Sequence, residues 1–169
     1  LKLLDRRIMM NPITDRILAE SKYIPAFVFD IDGVLASYEY EFYNHGYPET
    51  VWNELTHKSD PYLNARPFKI MQQFVSTYLD DCYVCSIVQN DEESKHKMNF
   101  IKQHYDISFS KMYFVDRYEK KLEILQRIQE LRKETDPHHI IMIEDTIKNL
   151  DYIKERSEFA TVHVSSFFE

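Results

Sequence analysis

Two aspartates separated by a single residue, Asp30 and Asp32, directly follow a short apolar run in this 169-residue chain. Alternate residues of a strand point to the same side, so we expect both carboxylates to leave the end of a buried strand together. Gly33 comes next and permits a sharp turn that a side chain would obstruct. Two carboxylates this close repel each other unless a cation lies between them or one of them takes a proton. The segment therefore predicts a divalent-metal site that also holds a nucleophile and a proton donor.

The segment from Asp30 to Leu35, with the sequence Asp-Ile-Asp-Gly-Val-Leu, resembles the first motif of the haloacid dehalogenase-like (HAD) phosphatases. An acidic turn after a strand would produce the same string without a catalytic role. Apolar strands alternate with amphipathic helices in the rest of the chain, which predicts a parallel sheet covered on both faces. Together these features indicate an α/β fold: a three-layer Rossmann-like HAD core with a sheet of about five strands and a small insertion after the first strand.

Two further positions resemble later motifs of the family. Ser86 ends the second apolar strand, where the family has a serine or threonine whose hydroxyl donates to a phosphoryl oxygen. The third motif is a lysine near the start of the helix after the third strand, and both Lys120 and Lys121 qualify. We favour Lys121, because it shares a helix face with Leu125 and Ile128, and a lysine on an apolar face needs a charged partner.

The fourth motif corresponds to Glu144, Asp145 and Asn149, after the fourth apolar strand. The helix dipole would also favour such an acidic pair in a protein without a metal site. The resemblance implies that Mg²⁺ is bound by Asp30, the Asp32 backbone carbonyl and Asp145, with Glu144 supporting it directly or through water. Asp30 would be the nucleophile and Asp32 the general acid and base, with Ser86 and Lys121 completing the catalytic set. Phosphate binding or support falls to four positions: Gly33, Ser86, Lys120 and Asn149.

The resemblance implies a magnesium-dependent phosphomonoester hydrolase that works through an aspartyl-phosphate intermediate. Because the chain has room for only a minimal cap, it is similar to members that act on bulky substrates, including nucleic-acid ends and nucleotides. Small-substrate members of this size usually close their site by forming homo-oligomers. Two alternatives stay open: a catalytically silent binding domain with the same fold, and a phosphotransferase or mutase.

The chain divides into a helical lead-in at residues 1–25 and a HAD-like catalytic domain at residues 26–169. Residues 37–64 form an aromatic-rich insertion, which is either a lid over the site or a purely structural element. Arg66-Pro67 is predicted to open a helix, and Asp116-x-x-Glu119 resembles a capping box for the helix that follows the third strand.

The net charge of −7 does not favour non-specific nucleic-acid binding, although it leaves a local basic groove possible. The sequence has no apolar run of membrane-spanning length and no visible signal peptide, so a cytoplasmic location is expected. Cys82 and Cys85 form a Cys-x-x-Cys inside an apolar run. On a strand they would face opposite sides, which predicts two core thiols rather than a redox or zinc pair.

Overall fold

The computed structural model describes residues 24–37 and 47–168. The lead-in helix predicted within residues 1–25, and residues 38–46 of the insertion, lie outside this part of the chain. The described strands are β1 (Ala26–Phe29), β2 (Ala36–Ser37), β3 (Arg66–Pro67), β4 (Cys82–Ile87), β5 (Met112–Val115), β6 (Ile140–Glu144) and β7 (Ala160–His163). The described α-helices are α1 (Glu49–Lys58), α2 (Lys69–Thr77), α3 (Asp91–Tyr105), α4 (Lys121–Arg132) and α5 (Ile147–Arg156). Short 3₁₀ turns include Pro61–Leu63 and Tyr118–Lys120.

Five of these strands form one parallel sheet in the order β5-β4-β1-β6-β7, which confirms the predicted fold class. Apolar residues alternate between the two faces of β1 because successive side chains of a strand point to opposite sides. Phe27 and Phe29 belong to one core cluster, whereas Ala26 and Val28 belong to the other. The sheet is therefore apolar on both faces, as parallel sheets covered by helices are.

The helices form the two outer layers. The cluster around Phe27 and Phe29 contains side chains of α2 and α3, and the cluster around Val28 contains side chains of α4 and α5. None of the described helices is long and apolar enough to span a membrane. The two thiols lie in different clusters, Cys82 in the first and Cys85 in the second, so the prediction that they face opposite sides is confirmed.

Two local predictions are wrong. Arg66 and Pro67 do not open a helix but pair antiparallel with Ser37 and Ala36, and α2 begins only at Lys69. The proline lacks an amide hydrogen and so fits the edge of a two-stranded pair. The capping box at Asp116-x-x-Glu119 is also absent, because a 3₁₀ turn ending at Lys120 precedes α4. The Asp116 carboxylate instead accepts a hydrogen bond from Lys120 at 2.8 Å.

Candidate active site

The carboxyl ends of β1 and β6 lie side by side and bring two acidic motifs together. Phe29 pairs with Ile143, and the Asp30 amide donates to the Ile143 carbonyl at 3.0 Å. Asp30 and Glu144 therefore leave adjacent strands at the same level. The chain order reverses at β1, since β4 and β5 lie on one side of it and β6 and β7 on the other. In open parallel sheets, ligands bind at the carboxyl ends of the strands beside such a switch point.

The turn after β1 places the Gly33 backbone against Asp145. Gly33 has a φ of +73°, a conformation that residues with a Cβ rarely adopt. The amides of the next three residues all donate to the Ile31 carbonyl, at 2.8 to 3.1 Å, which makes the turn tight. A Cβ on Gly33 would lie 2.1 Å from Asp145 Oδ2. Glycine is needed here both for the backbone angle and for the close approach of Asp145.

Three carboxylates converge at this edge of the sheet. Asp30, Glu144 and Asp145 each offer an oxygen, and these oxygens lie within 4.8 Å of one another. The fully buried Lys121 faces them from the first turn of α4, with Nζ 3.2 Å from Asp30 Oδ1 and 2.5 Å from Glu144 Oε2. Burial alone would lower the pKa of Lys121, but Asp30 and Glu144 outweigh it and raise that pKa. Lys121 therefore remains a cation inside the core.

Asp30 is left with unbalanced negative charge. Burial, followed by the charge of Glu144, raises the pKa of Asp30 to about 6, against the opposing effect of Lys121. Its Oδ1 atom is buried and accepts no hydrogen bond from the described residues. Buried carboxylate oxygens normally accept a hydrogen bond, because one that accepts none costs free energy. The site thus offers both an acceptor atom and negative charge to a cation.

Glu144 organises the loop after β6. Its Oε1 accepts the amides of Asp145 and Thr146 at 3.2 and 3.3 Å, and its Oε2 accepts Asn149 Nδ2 at 3.2 Å in addition to Lys121. Asp145 is only half-buried, and its Oδ1 accepts from the Thr146 hydroxyl at 3.1 Å. Glu144 is therefore already well supplied with hydrogen-bond donors, whereas Asp145 is only partly buried and accepts from the neighbouring Thr146 hydroxyl.

A second buried lysine, Lys97 on α3, contacts the other aspartate of the first motif. Lys97 Nζ lies 2.7 Å from Asp32 Oδ2 and 3.2 Å from Glu93 Oε1, and it donates to Ser86 Oγ at 3.1 Å. The Tyr62 hydroxyl donates to Asp32 Oδ1 at 2.7 Å. Burial alone would lower the pKa of Lys97, but Asp32 and Glu93 outweigh it and raise that pKa. Asp32 thus has a donor on each of its two oxygens.

Neither Lys97 nor Tyr62 was predicted from the sequence. A signal for Lys97 was present, because Lys97, Phe100 and Ile101 follow helical spacing and lie together on the buried face of α3. This is the same pattern that singled out Lys121 on α4. No comparable signal marks Tyr62, which reaches Asp32 across 30 residues of sequence.

Two predicted site residues, Ser86 and Lys120, have yet to be placed. Ser86 is fully buried in β4 and accepts from Lys97, so its own hydroxyl hydrogen can point elsewhere. Lys120 instead donates from its Nζ to Asp116, which is not one of the three clustered carboxylates. The structure brings together every other predicted site residue, while the catalytic and binding roles assigned to these residues remain predictions.

The described part of the insertion packs on α3. Trp52 on α1 donates from its indole nitrogen to Glu93 Oε1 at 2.9 Å, and its ring lies edge-on to Tyr62 with centroids 6.4 Å apart. The Asn90 amide group donates to Asn53 Oδ1 at 2.7 Å. Residues 47–64 therefore contact the site at two points: Tyr62 donates to Asp32, and Trp52 donates to Glu93. Whether the insertion acts as a lid remains a prediction.

Solved structures of a HAD family enzyme (bt-2542) from Bacteroides thetaiotaomicron are similar to this chain. The wild-type enzyme in complex with magnesium and inorganic phosphate has a TM-score of 0.51 at 13% identity, over 83% of this chain and 94% of that one. A mutant of that enzyme in the same complex gives 0.51 at 15% identity, over 83% and 93% of the two chains. No protein-family model and no curated protein sequence matches the chain. The likeness shows that the chain has the HAD-like fold.

Proposed function

We propose that this chain, a HAD-like fold with an acidic cluster at its switch point, is a magnesium-dependent phosphomonoester hydrolase. The observation that carries the proposal is the convergence of Asp30, Glu144 and Asp145 within 4.8 Å, with the buried Lys121 beside them. The solved HAD structures that resemble this chain were obtained with magnesium and inorganic phosphate, which supports the same ligands here.

The donor set suits magnesium. Mg²⁺ prefers carboxylate, carbonyl and water oxygens in an octahedral arrangement. Asp30 and Asp145 would supply carboxylate oxygens and Asp32 its backbone carbonyl, and the Oδ1 of Asp30, which accepts no hydrogen bond from the described residues, fits the role of a metal ligand. Glu144, whose oxygens already accept several hydrogen bonds, would act through water. When bound, the metal would neutralise phosphate charge so that an anionic nucleophile can approach.

Each step of the proposed reaction would then fall to a residue of the chain. The Asp30 carboxylate attacks phosphorus and forms an aspartyl-phosphate, while Lys121 holds that carboxylate in place from 3.2 Å. Asp32, in its protonated form, gives its proton to the leaving oxygen, and the resulting carboxylate regains a proton from the water that hydrolyses the intermediate. Ser86, in turn, would donate its hydroxyl hydrogen to a phosphoryl oxygen.

The test is hydrolysis of p-nitrophenyl phosphate with magnesium and with EDTA, using the wild-type chain and Asp30→Asn. The substitution keeps the shape of the side chain but removes the attacking charge, so we expect a loss of at least about 10³-fold in kcat. Asp116→Asn, which changes an exposed carboxylate after β5, is the matched control and should keep full activity. Near-normal turnover in Asp30→Asn would disprove the nucleophile.

The same assay separates the proposal from its alternatives. A catalytically silent binding domain would show no magnesium-dependent turnover in the wild-type chain. With an added alcohol as phosphoryl acceptor, a phosphotransferase or mutase would release p-nitrophenol but pass the phosphoryl group to that alcohol, so free phosphate would appear more slowly than p-nitrophenol. Equal release of both products supports the hydrolase.

A further inference from the structure

Lys97 occupies an unusual position for a charged side chain. It is only 1% exposed, although it lies on a helix whose neighbouring Lys95 is exposed to solvent. Besides Asp32, Glu93 and Ser86, its ammonium group donates to the carbonyl of Ile87. A lysine has three N–H donors, so these acceptors take up its full capacity.

The contacts of Lys97 fix the orientation of Asp32. One Asp32 oxygen lies 2.7 Å from the ammonium group, and the other accepts the Tyr62 hydroxyl at 2.7 Å. A carboxylate held at both oxygens cannot rotate about its terminal bond without breaking one contact. The ammonium group also lies 5.9 Å from the centre of the Tyr62 ring, so the two side chains that hold Asp32 contact each other.

Glu93 and Trp52 in turn hold Lys97. Glu93 is 2% exposed, and its Oε1 accepts both Lys97 and the Trp52 indole, while its Oε2 accepts the Gln89 amide at 2.7 Å. A buried carboxylate with this many donors has one stable orientation. Trp52 belongs to the insertion, so a continuous chain of polar contacts runs from the insertion to the carboxylate of Asp32.

We propose that Lys97 is a positioning residue for the proposed reaction: it holds Asp32 in line with the leaving oxygen, and Glu93 and Trp52 hold Lys97. The proposal rests on the proposed function, because it assigns Asp32 the role of general acid. It gives the insertion a definite part in the chemistry, since its Trp52 and Tyr62 maintain the orientation of the acid.

The choice of leaving group isolates this role. Phenyl phosphate releases a phenol with a pKa of about 10, like that of tyrosine, so its leaving oxygen needs a proton. 2,4-Dinitrophenyl phosphate releases a much weaker base that departs without one. Misplacing the acid therefore slows the first ester far more than the second, whereas general damage to the site slows both equally.

The experiment compares kcat/KM for these two esters, with magnesium, in the wild-type chain and in Lys97→Met. We expect a loss of at least about 100-fold for phenyl phosphate and of less than about tenfold for 2,4-dinitrophenyl phosphate. Lys95→Met, on the same helix, should change neither value. The double variant Lys97→Met/Glu93→Gln removes the carboxylate charge that Lys97→Met would leave without its cation, and is measured beside it.

Trp52→Phe tests the outer end of the chain of contacts without changing any charge. It keeps an aromatic ring and removes the indole donor, so we expect a loss of about three- to tenfold for phenyl phosphate, the effect of one hydrogen bond, and almost none for the dinitrophenyl ester. This variant carries the test if the Lys97 variants do not fold. Equal losses for both esters, or no loss, in a folded variant overturn the positioning role alone. A wild-type chain without magnesium-dependent turnover of either ester overturns the proposed function as well.

Discussion

The two buried lysines have similar surroundings, but different parts of the fold build those surroundings. Lys121 lies between Asp30 and Glu144, and Lys97 lies between Asp32 and Glu93, so each ammonium group bridges two carboxylates. The Lys121 centre is built by β1, β6 and α4, which all belong to the three-layer core. The Lys97 centre also depends on the insertion, because Trp52 contacts Glu93 and Tyr62 contacts Asp32.

The proposed metal site and the proposed positioning of Asp32 therefore depend on different parts of the fold. The carboxylates that Lys121 bridges belong to the cluster suited to a metal, whereas Glu93 lies outside that cluster. Each lysine offsets the charge of two carboxylates in the interior, but among the described residues only the carboxylates beside Lys121 belong to a group close enough to share a metal ion. The surroundings of Lys121 are thus built by the core, whereas those of Lys97 also include side chains of the insertion.

The largest expected effect comes from removing each lysine in turn. Lys121→Met and Lys97→Met each leave buried carboxylates without their cation, which should lower the free energy of unfolding by about 3–5 kcal/mol in EDTA. Magnesium should then stabilise Lys121→Met by more than it stabilises the wild-type chain, because the metal replaces a missing positive charge. It should stabilise Lys97→Met by only the wild-type amount.

Urea unfolding with and without magnesium measures these differences, and Lys95→Met serves as the exposed control. If magnesium raises the free energy of unfolding of both lysine variants equally, the two centres respond alike to the metal. That result would contradict the predicted difference between them. If magnesium stabilises neither variant, the metal does not bind at the cluster beside Lys121.

A smaller effect is expected from Gly33→Ala, whose added Cβ would meet Asp145 beside the Lys121 centre. An alanine at a φ of +73° costs about 1–2 kcal/mol, and its Cβ would displace the Asp145 carboxylate. We expect magnesium affinity, measured by titration calorimetry, to fall by at least about tenfold, since 1.4 kcal/mol corresponds to that factor. Val34→Ala, which removes a buried side chain from the same turn, controls for lost stability. Unchanged affinity in Gly33→Ala would remove Asp145 from the metal site.

The smallest effect concerns the thiols, which report on the two faces of the sheet. Burial raises the pKa of Cys85 to about 12 and also raises that of Cys82, so neither forms a thiolate near neutral pH. We expect both to react with a thiol reagent only as fast as the protein unfolds. Ser110→Cys adds an exposed thiol that should react at once. Rapid reaction of either native thiol would show that its face of the core opens locally.

Much of the site could be predicted because its residues follow strand ends. Asp30, Glu144 and Asp145 come directly after apolar runs, and parallel strands bring such positions to one edge of the sheet. Gly33 could be predicted from the need for a turn. Lys121 was predicted because it resembles the lysine of the third family motif, and its place on an apolar helix face favoured it over Lys120. Local predictions failed where tertiary pairing intervened, as at Arg66, which joins a two-stranded pair instead of starting a helix.

The parallel fold could be predicted from periodicity, which is a local property of the chain, and the acidic cluster from motifs that resemble those of the HAD phosphatases. The groups that surround Asp32 became apparent only in the folded chain. Trp52 and Glu93 are 41 residues apart, and Tyr62 and Asp32 are 30 apart, so no local pattern links them. Lys97 lies between these cases: helical spacing buries it, but only the packing of α3 against β1, β4 and the insertion shows which carboxylates it meets. A buried charge needs an opposite charge or hydrogen-bonding groups near it, and a local sequence pattern does not show where in the fold those groups lie.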